Sequence, residues 1–336
     1  MRKLLIVCGP TATGKTSLAI KLAKKFGGQL VNVDSRQVYR GMNIGTGKDL
    51  PQNSSFNKIK NSKLGIKNES YKVGYYLISG VPIWLLDVVE PDYRFNVVDY
   101  LGVTIPVIER IWQQKQLPIL VGGTGFYIKI LMEGVGTAGI IPDWSLRKKL
   151  GPLTIGKLQK KIKQIDPSRF NRMNYSDRQN PRRLIRAIEV AEFKKKTPAQ
   201  FQFLNLKNKD VFWIGLKMSP EKIRKKINYR VTKRLKQGLI KEIEGLLVKY
   251  GFNNSVLGET IAYRQWQEYF AIPKSERKEI LIKVIDRWKS AEYQYAQRQI
   301  TWFKKNKQIN WFEADRKDLF SIVAKTVGRW YIKDND

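Results

Sequence analysis

The stretch that decides the fold is Leu4-Leu5-Ile6-Val7-Cys8-Gly9-Pro10-Thr11-Ala12-Thr13-Gly14-Lys15-Thr16. Leu4–Cys8 is a short apolar run closed by Gly9-Pro10, the signature of a buried parallel strand. Gly9–Thr16 fits G-x-x-x-x-G-K-[ST]. Leu18, Ala19, Leu22, Ala23 and Phe26 then recur at helical spacing until Gly27-Gly28 stop the helix. Strand, glycine loop and helix together form a phosphate cradle, in which backbone N–H groups curl around the anion. Gly9, Thr11, Ala12, Thr13, Gly14 and Lys15 are expected to hold a di- or triphosphate, and the Thr16 hydroxyl to bind Mg²⁺. The motif does not say whether phosphate is transferred or simply leaves.

Working outward, further strands are expected at Leu30–Val33, Ile83–Val89, Leu117–Val121, Val211–Leu216 and Ile309–Phe312. Strands alternating with helices imply an α/β fold, here a P-loop core built on a parallel sheet. Ligands gather beyond the carboxyl ends of such strands, where Gly9, Asp34, Asp87 and Gly122 fall. From Asp143 to Ala199 the pattern is helical and basic. The expected organisation is the first part of the core in 1–138, a basic helical insertion in 139–200, and core completion with C-terminal helices in 201–336. Two long amphipathic stretches, Glu221–Tyr250 and Ser275–Lys305, make that last part helical, and Asp49–Lys72 reads as an extended loop.

The 336 residues carry a net charge of +34 with 42% hydrophobic residues, enough for a sizeable core. Residues 141–200 hold 16 basic against 5 acidic side chains, the densest positive charge in the chain. Such a field attracts polyanions, nucleic acid first among them. There is no histidine, so no Ser-His-Asp triad, His base or His-ligated zinc site can exist. A single cysteine and short apolar runs lead to the expectation of a cytoplasmic protein with no membrane span and no secretory signal.

Asp34 ends the second strand, where a carboxylate can take a proton from an acceptor or orient a metal; Asp87 is a second candidate. Leu117–Tyr127 holds a Gly122-Gly123-Thr124-Gly125 turn that lets substrate approach the backbone. Trp288, Trp302 and Trp311 suit stacking on RNA, although aromatics more commonly anchor packing. The residues by themselves reach a Mg²⁺-dependent phosphate-binding enzyme with a polyanionic partner. A small-molecule kinase and a non-enzymatic RNA-binding module both stay open.

Residues 9–16 (GPTATGKT), 34–48 (DSRQVYRGMNIGTGK) and 121–127 (VGGTGFY) resemble the tRNA dimethylallyltransferases, also called tRNA isopentenyltransferases. The similarity continues through 182–190 (RRLIRAIEV), 262–266 (AYRQW) and 295–303 (YAQRQITWF). The resemblance implies transfer of a dimethylallyl group from dimethylallyl diphosphate to the exocyclic amine of the adenosine 3′ to the anticodon. It also implies Asp34, Thr11, Thr124 and Arg230 at the reacting centre, with Lys226 on the diphosphate. Ser35, Arg36, Gln37, Arg147, Arg183, Arg186, Tyr263 and Arg264 would contact the anticodon stem-loop of tRNA, bound by a monomer. Lys226 stands where an Arg is usual, Ala262 replaces a Gly, and Tyr293 and Gln297 replace basic residues. A prenyltransferase acting on free adenylate is a further alternative.

Overall fold

The computed structural model describes residues 2–51, 54–66, 68–134, 140, 142–194, 204 and 206–332. Eight strands form one sheet: β1 (Leu4–Cys8), β2 (Gly28–Val33), β3 (Phe56–Lys58), β4 (Gly74–Ile78), β5 (Val81–Trp84), β6 (Leu117–Gly122), β7 (Val211–Lys217) and β8 (Asn310–Glu313). Their order is β3-β4-β5-β2-β6-β1-β7-β8. The six strands from β5 to β8 run parallel, and β4 and β3 add antiparallel at one edge.

β1 is buried along its whole length, as five apolar residues covered on both faces must be. Leu5 and Val7 meet Leu18, Leu22, Val323 and Val327 in one core cluster. These come from α1 (Lys15–Phe26) and from the C-terminal helix Leu319–Ile332. The helix Val97–Gln113 packs against β2 and β6. An Asn96–Asp99 capping box starts it.

Register is what brings the site together. Val7 pairs with Val121, Cys8 with Gly215, and Val33 with Gly122. The loops after β1, β2, β6 and β7 therefore leave the sheet at one level. With strands about 4.8 Å apart, Gly9 and Asp34 stand only about 10 Å from one another across β6.

Several expected boundaries move. The strand expected over Ile83–Val89 ends at Trp84, because Leu85 (φ 64°) and Asp87 (φ 58°) turn into the left-handed region and break the ladder. Asp49–Lys72 is not wholly a loop: it contains β3, which pairs with β4 through Phe56–Tyr76 and Lys58–Gly74. Glu221–Tyr250 divides into Pro220–Lys236 and Leu239–Tyr250 at Gly238 (φ 95°), whereas Arg277–Phe303 is one helix about 40 Å long.

The chain divides into two compact units, Met1–Met132 with Leu204–Asp336, and Glu133–Phe203. The second is wholly helical among its described residues: Trp144–Leu150, Ile155–Ile165, Pro167–Arg172, Tyr175–Arg178 and Pro181–Lys194. Leu150, Leu158, Ile162, Phe170, Leu184 and Ile188 form its core. The expected boundaries at 138/139 and 200/201 lie outside the described residues.

Inside this unit Glu189 is only 2% exposed. Arg147 grips it with Nε–Oε1 and Nη2–Oε2 contacts of 2.9 Å each, and Arg186 binds Oε2 and the Ile140 carbonyl. Burial works to raise the Glu189 pKa, but the hydrogen bonds from these two arginines outweigh it and hold the carboxyl below its ordinary range. The guanidinium groups of Arg147 and Arg186 thus clamp the unit, with each side chain still 30% exposed. Arg183 pairs with Asp177. Exposed cations of the unit include Lys148, Lys149, Lys157, Lys160, Lys163 and Arg172.

Truncating Leu158, fully buried in this small core, is expected to cost about 3 kcal/mol. Hydrogen exchange on Leu158→Ala should show faster exchange across Ile155–Ile165 and Pro181–Lys194. Unchanged protection would mean that the unit coheres by other contacts.

Candidate active site

A cavity of about 710 Å³ opens where the loops leave the sheet. Thr11, Ala12, Gly14, Lys15 and Thr16 of the P-loop line it, and so do Asp34, Gly122, Gly123, Lys226, Arg230 and Arg234. The P-loop takes its curvature from Gly9 (φ 133°), Ala12 (φ 66°) and Gly14 (φ 82°). Thr13 is buried, with Oγ1 donating to the Pro10 carbonyl at 2.8 Å. Gly9 and Thr13 thus support the loop and do not line the cavity. Ser17, Lys21 and Lys24, on the next turns of α1, line it instead.

The Lys15 ammonium rests on the Pro10 carbonyl at 2.6 Å. Burial and then the Arg230 charge bring its pKa down to about 8, with Asp34 partly opposing. Arg230 donates through Nη1 to Thr11 Oγ1 at 2.7 Å, and its Nη2 lies 3.8 Å from Asp49 Oδ2. Arg234, one helical turn on, is buried and held by Glu292 at 3.1 Å, which also accepts from Trp288 Nε1. Trp288 is fully buried and offers no face to RNA. Both arginines lie against Gly47, where a Cβ would come within 2.0 Å of Arg234 Nη2 and 2.5 Å of Arg230 Nη2. Only glycine leaves room for this approach.

Asp34 accepts through Oδ1 from the backbone amides of Arg36 (2.8 Å) and Gln37 (3.4 Å), which fixes its rotamer. No protein donor reaches Oδ2 among the described residues. Thr124, by contrast, is occupied: its Oγ1 accepts from Ser35 N at 3.1 Å, and its own N–H donates to the Val33 carbonyl. It ties the turn after β6 to the end of β2, next to Asp34 and against Tyr295. Gln299 joins that turn to the P-loop, accepting from Thr11 N at 2.8 Å and donating to the Gly123 carbonyl at 3.1 Å. Tyr295, one turn earlier on the same helix, also lines the cavity.

The segment 42–48 forms a further wall. Glu242 accepts from the amides of Asn43 (3.0 Å), Ile44 (2.8 Å) and Gly45 (2.9 Å) and from the Tyr263 hydroxyl at 2.8 Å. Gln37 Nε2 donates to the carbonyls of Thr46 and Gly47. Lys48 is buried against Asp87, Tyr39 O and Asn43 Oδ1, and Tyr76 adds a hydrogen bond to Asp87 at 2.7 Å. Asp87 is therefore taken up in a buried ion pair and is not free to hold a metal.

Tyr263 is 2% exposed, so the expected base-stacking role is corrected: its ring packs against Gly45. Arg264 is exposed, and Arg36 lies 3.6 Å from Glu259. Cys8 is buried within β1, its thiol pushed up to about 12 by burial, and behaves as a small apolar side chain. Sequence reasoning missed Arg234, Glu242 and Gln299. Arg234 sits one turn beyond Arg230, a spacing that could have exposed it. Glu242 bonds to residues nearly 200 positions away, and no local pattern announces that.

The comparisons agree along the whole chain. A family model described as IPP transferase matches residues 37–306, and one described as isopentenyl transferase matches residues 2–67. The chain is 34% identical over 340 residues to the tRNA dimethylallyltransferase of Acetivibrio thermocellus, covering 99% of this chain and 98% of that relative. The full-length tRNA isopentenylpyrophosphate transferase from Bacillus halodurans matches with a TM-score of 0.64 at 28% identity, covering 100% and 99% of the two chains. A eukaryotic dimethylallyltransferase crystallised acting on tRNA shares the fold, with a TM-score of 0.74 at 21% identity over 99% of this chain and 80% of that one. A sheet-end cavity walled by Lys15, Arg230, Arg234 and Asp34 is thus set in a chain that belongs to the tRNA dimethylallyltransferase family.

Proposed function

We propose that the chain transfers a dimethylallyl group from dimethylallyl diphosphate to the exocyclic amine of the adenosine 3′ to the tRNA anticodon, releasing diphosphate. The observation that carries this reading is the pairing, in one cavity, of Lys15, Arg230 and the P-loop amides with Asp34 Oδ2. The allylic C–O bond breaks with its electron pair passing to the diphosphate, where Lys15, Arg230 and the amides receive the charge. The amine nitrogen forms the new C–N bond and gives its proton to Asp34. Thr11, held by Arg230 and Gln299, lies within this group, and Lys226 and Arg234 add positive charge to the same cavity. Reaching it requires the adenine to leave its stack.

Among the described residues no group of three or more acidic or cysteine side chains could cage a metal. That fits Mg²⁺, which binds through few protein groups and completes its shell with phosphate oxygens and water. The Thr16 hydroxyl, exposed and lining the cavity, would hold it. The ion would neutralise charge on the leaving diphosphate.

The exposed lysines of the Glu133–Phe203 unit, with Arg183, supply phosphate contacts for the anticodon stem. No helix among the described residues is long and apolar enough to cross a membrane. A tRNA substrate and a lone buried cysteine suit the cytoplasm.

Incubation with labelled dimethylallyl diphosphate, Mg²⁺ and unmodified tRNA should label the tRNA, with AMP and ATP present as competing acceptors. Label in AMP, or phosphate transfer from ATP, would overturn the reading. Asp34→Ala should lower turnover by about 10²–10⁴-fold with tRNA binding nearly intact. Asp34→Asn, which keeps the Oδ1 acceptor for Arg36 and Gln37, should be as inactive; full activity in it would refute the base role.

A bound diphosphate favours the charged form of Lys15 and so raises its pKa above about 8. Diphosphate affinity should therefore be greatest below that pH and fall as pH rises through it. Calorimetry with pyrophosphate should show this fall relative to Lys15→Arg, which carries any titration of the ligand itself; parallel profiles would assign the pH response elsewhere. Affinity for tRNA should drop at least about tenfold between 50 and 200 mM salt. A flat response would show that the lysines do not meet the RNA backbone.

A further inference from the structure

On the helix Arg277–Phe303, Tyr295, Gln299 and Trp302 follow at i, i+4 and i+7 and so share one face. The first two line the cavity; Trp302 lies one turn, about 5 Å, further along. Its indole lies on the turn after β6, where a Cβ on Gly125 would come within 2.1 Å of Cδ1. Phe126, in the first turn of the helix Gly125–Glu133, meets Trp302 edge to face, with centroids 6.4 Å apart at 84°. Both rings are partly in solvent, Trp302 40% and Phe126 47% exposed. Arg298 and Lys305, four residues before and three after Trp302, are exposed on the same side of the helix end.

Exposed aromatic faces rimmed by cations are what unpaired nucleotides recognise, the rings by stacking and the cations through phosphate. The patch also continues from the cavity, since Gln299 binds Gly123, two residues before Gly125. We infer that Phe126 and Trp302 form a stacking platform for the nucleobase adjoining the reacting adenosine in the anticodon loop. This rests on the tRNA reading above. An adenosine drawn into the cavity leaves its immediate neighbours at the rim without a stacking partner, and the platform supplies one. It binds the acceptor strand and takes no part in bond making.

The test is steady-state prenylation of anticodon stem-loop RNA. Phe126→Ala and Trp302→Ala should each raise KM for RNA about tenfold while kcat changes little, and Trp302→Phe should recover most of the loss. Binding of pyrophosphate should be unchanged in all three. Stem-loops abasic immediately 5′ or 3′ of the target adenosine complete the test. One of them should weaken binding to the wild-type protein about tenfold and cost nothing further in Trp302→Ala. Where Trp302→Ala fails to fold, the same cycle is run with Phe126→Ala. Losses that multiply independently, or variants that bind RNA like the wild type, overturn the platform. Absence of prenylation by the wild-type protein would instead overturn the functional reading itself.

Discussion

Crowded positive charge is the constraint around which the site is organised. Lys15, Arg230 and Arg234 face one cavity, and like charges at close range repel strongly where water is scarce. The protein neutralises only part of this. Glu292 takes Arg234, Asp49 lies 3.8 Å from Arg230, and Lys15 leans on a backbone carbonyl. The Lys15 pKa is lowered first by burial and then by the Arg230 charge, so part of the surplus is visible there. The cavity is electrostatically incomplete by itself, which suits the diphosphate of the proposed reaction.

Holding these cations together requires rigid surroundings. Gly47 admits both arginines to the backbone, and its own segment is fixed by Gln37, Glu242 and the Lys48–Asp87 pair. Gln299 locks the P-loop to the turn after β6. Elements far apart in the chain thus share one network, and the parallel register of β1, β2 and β6 sets its base.

The parallel core was legible because its signals are local. Leu4–Cys8 and the glycine loop carry their meaning within a dozen residues, and the strands at β6 and β7 read as unbroken apolar runs. β4 escaped notice: Gly-Tyr-Tyr-Leu-Ile is half-exposed and polar at its hydroxyls, and β3 is three residues long. At the site, the P-loop and Asp34 could be read from motif and position. Other roles turned on burial, which spacing does not reveal. Arg147 and Arg186 read as RNA ligands in a basic segment, and the buried carboxylate of Glu189 that they share is a partner no spacing reveals. Tyr263 likewise looks like a stacking residue until its ring is found beneath Gly45.

The grip of Glu242 on three successive amides has a broader meaning. Consecutive N–H groups converging on one oxyanion are the arrangement by which loops capture phosphate. Here the chain has built such a nest beside its phosphate cavity and plugged it with a side chain of its own. An inorganic anion has no vacancy to enter there, so those three amides offer the P-loop no rival as an anion receptor.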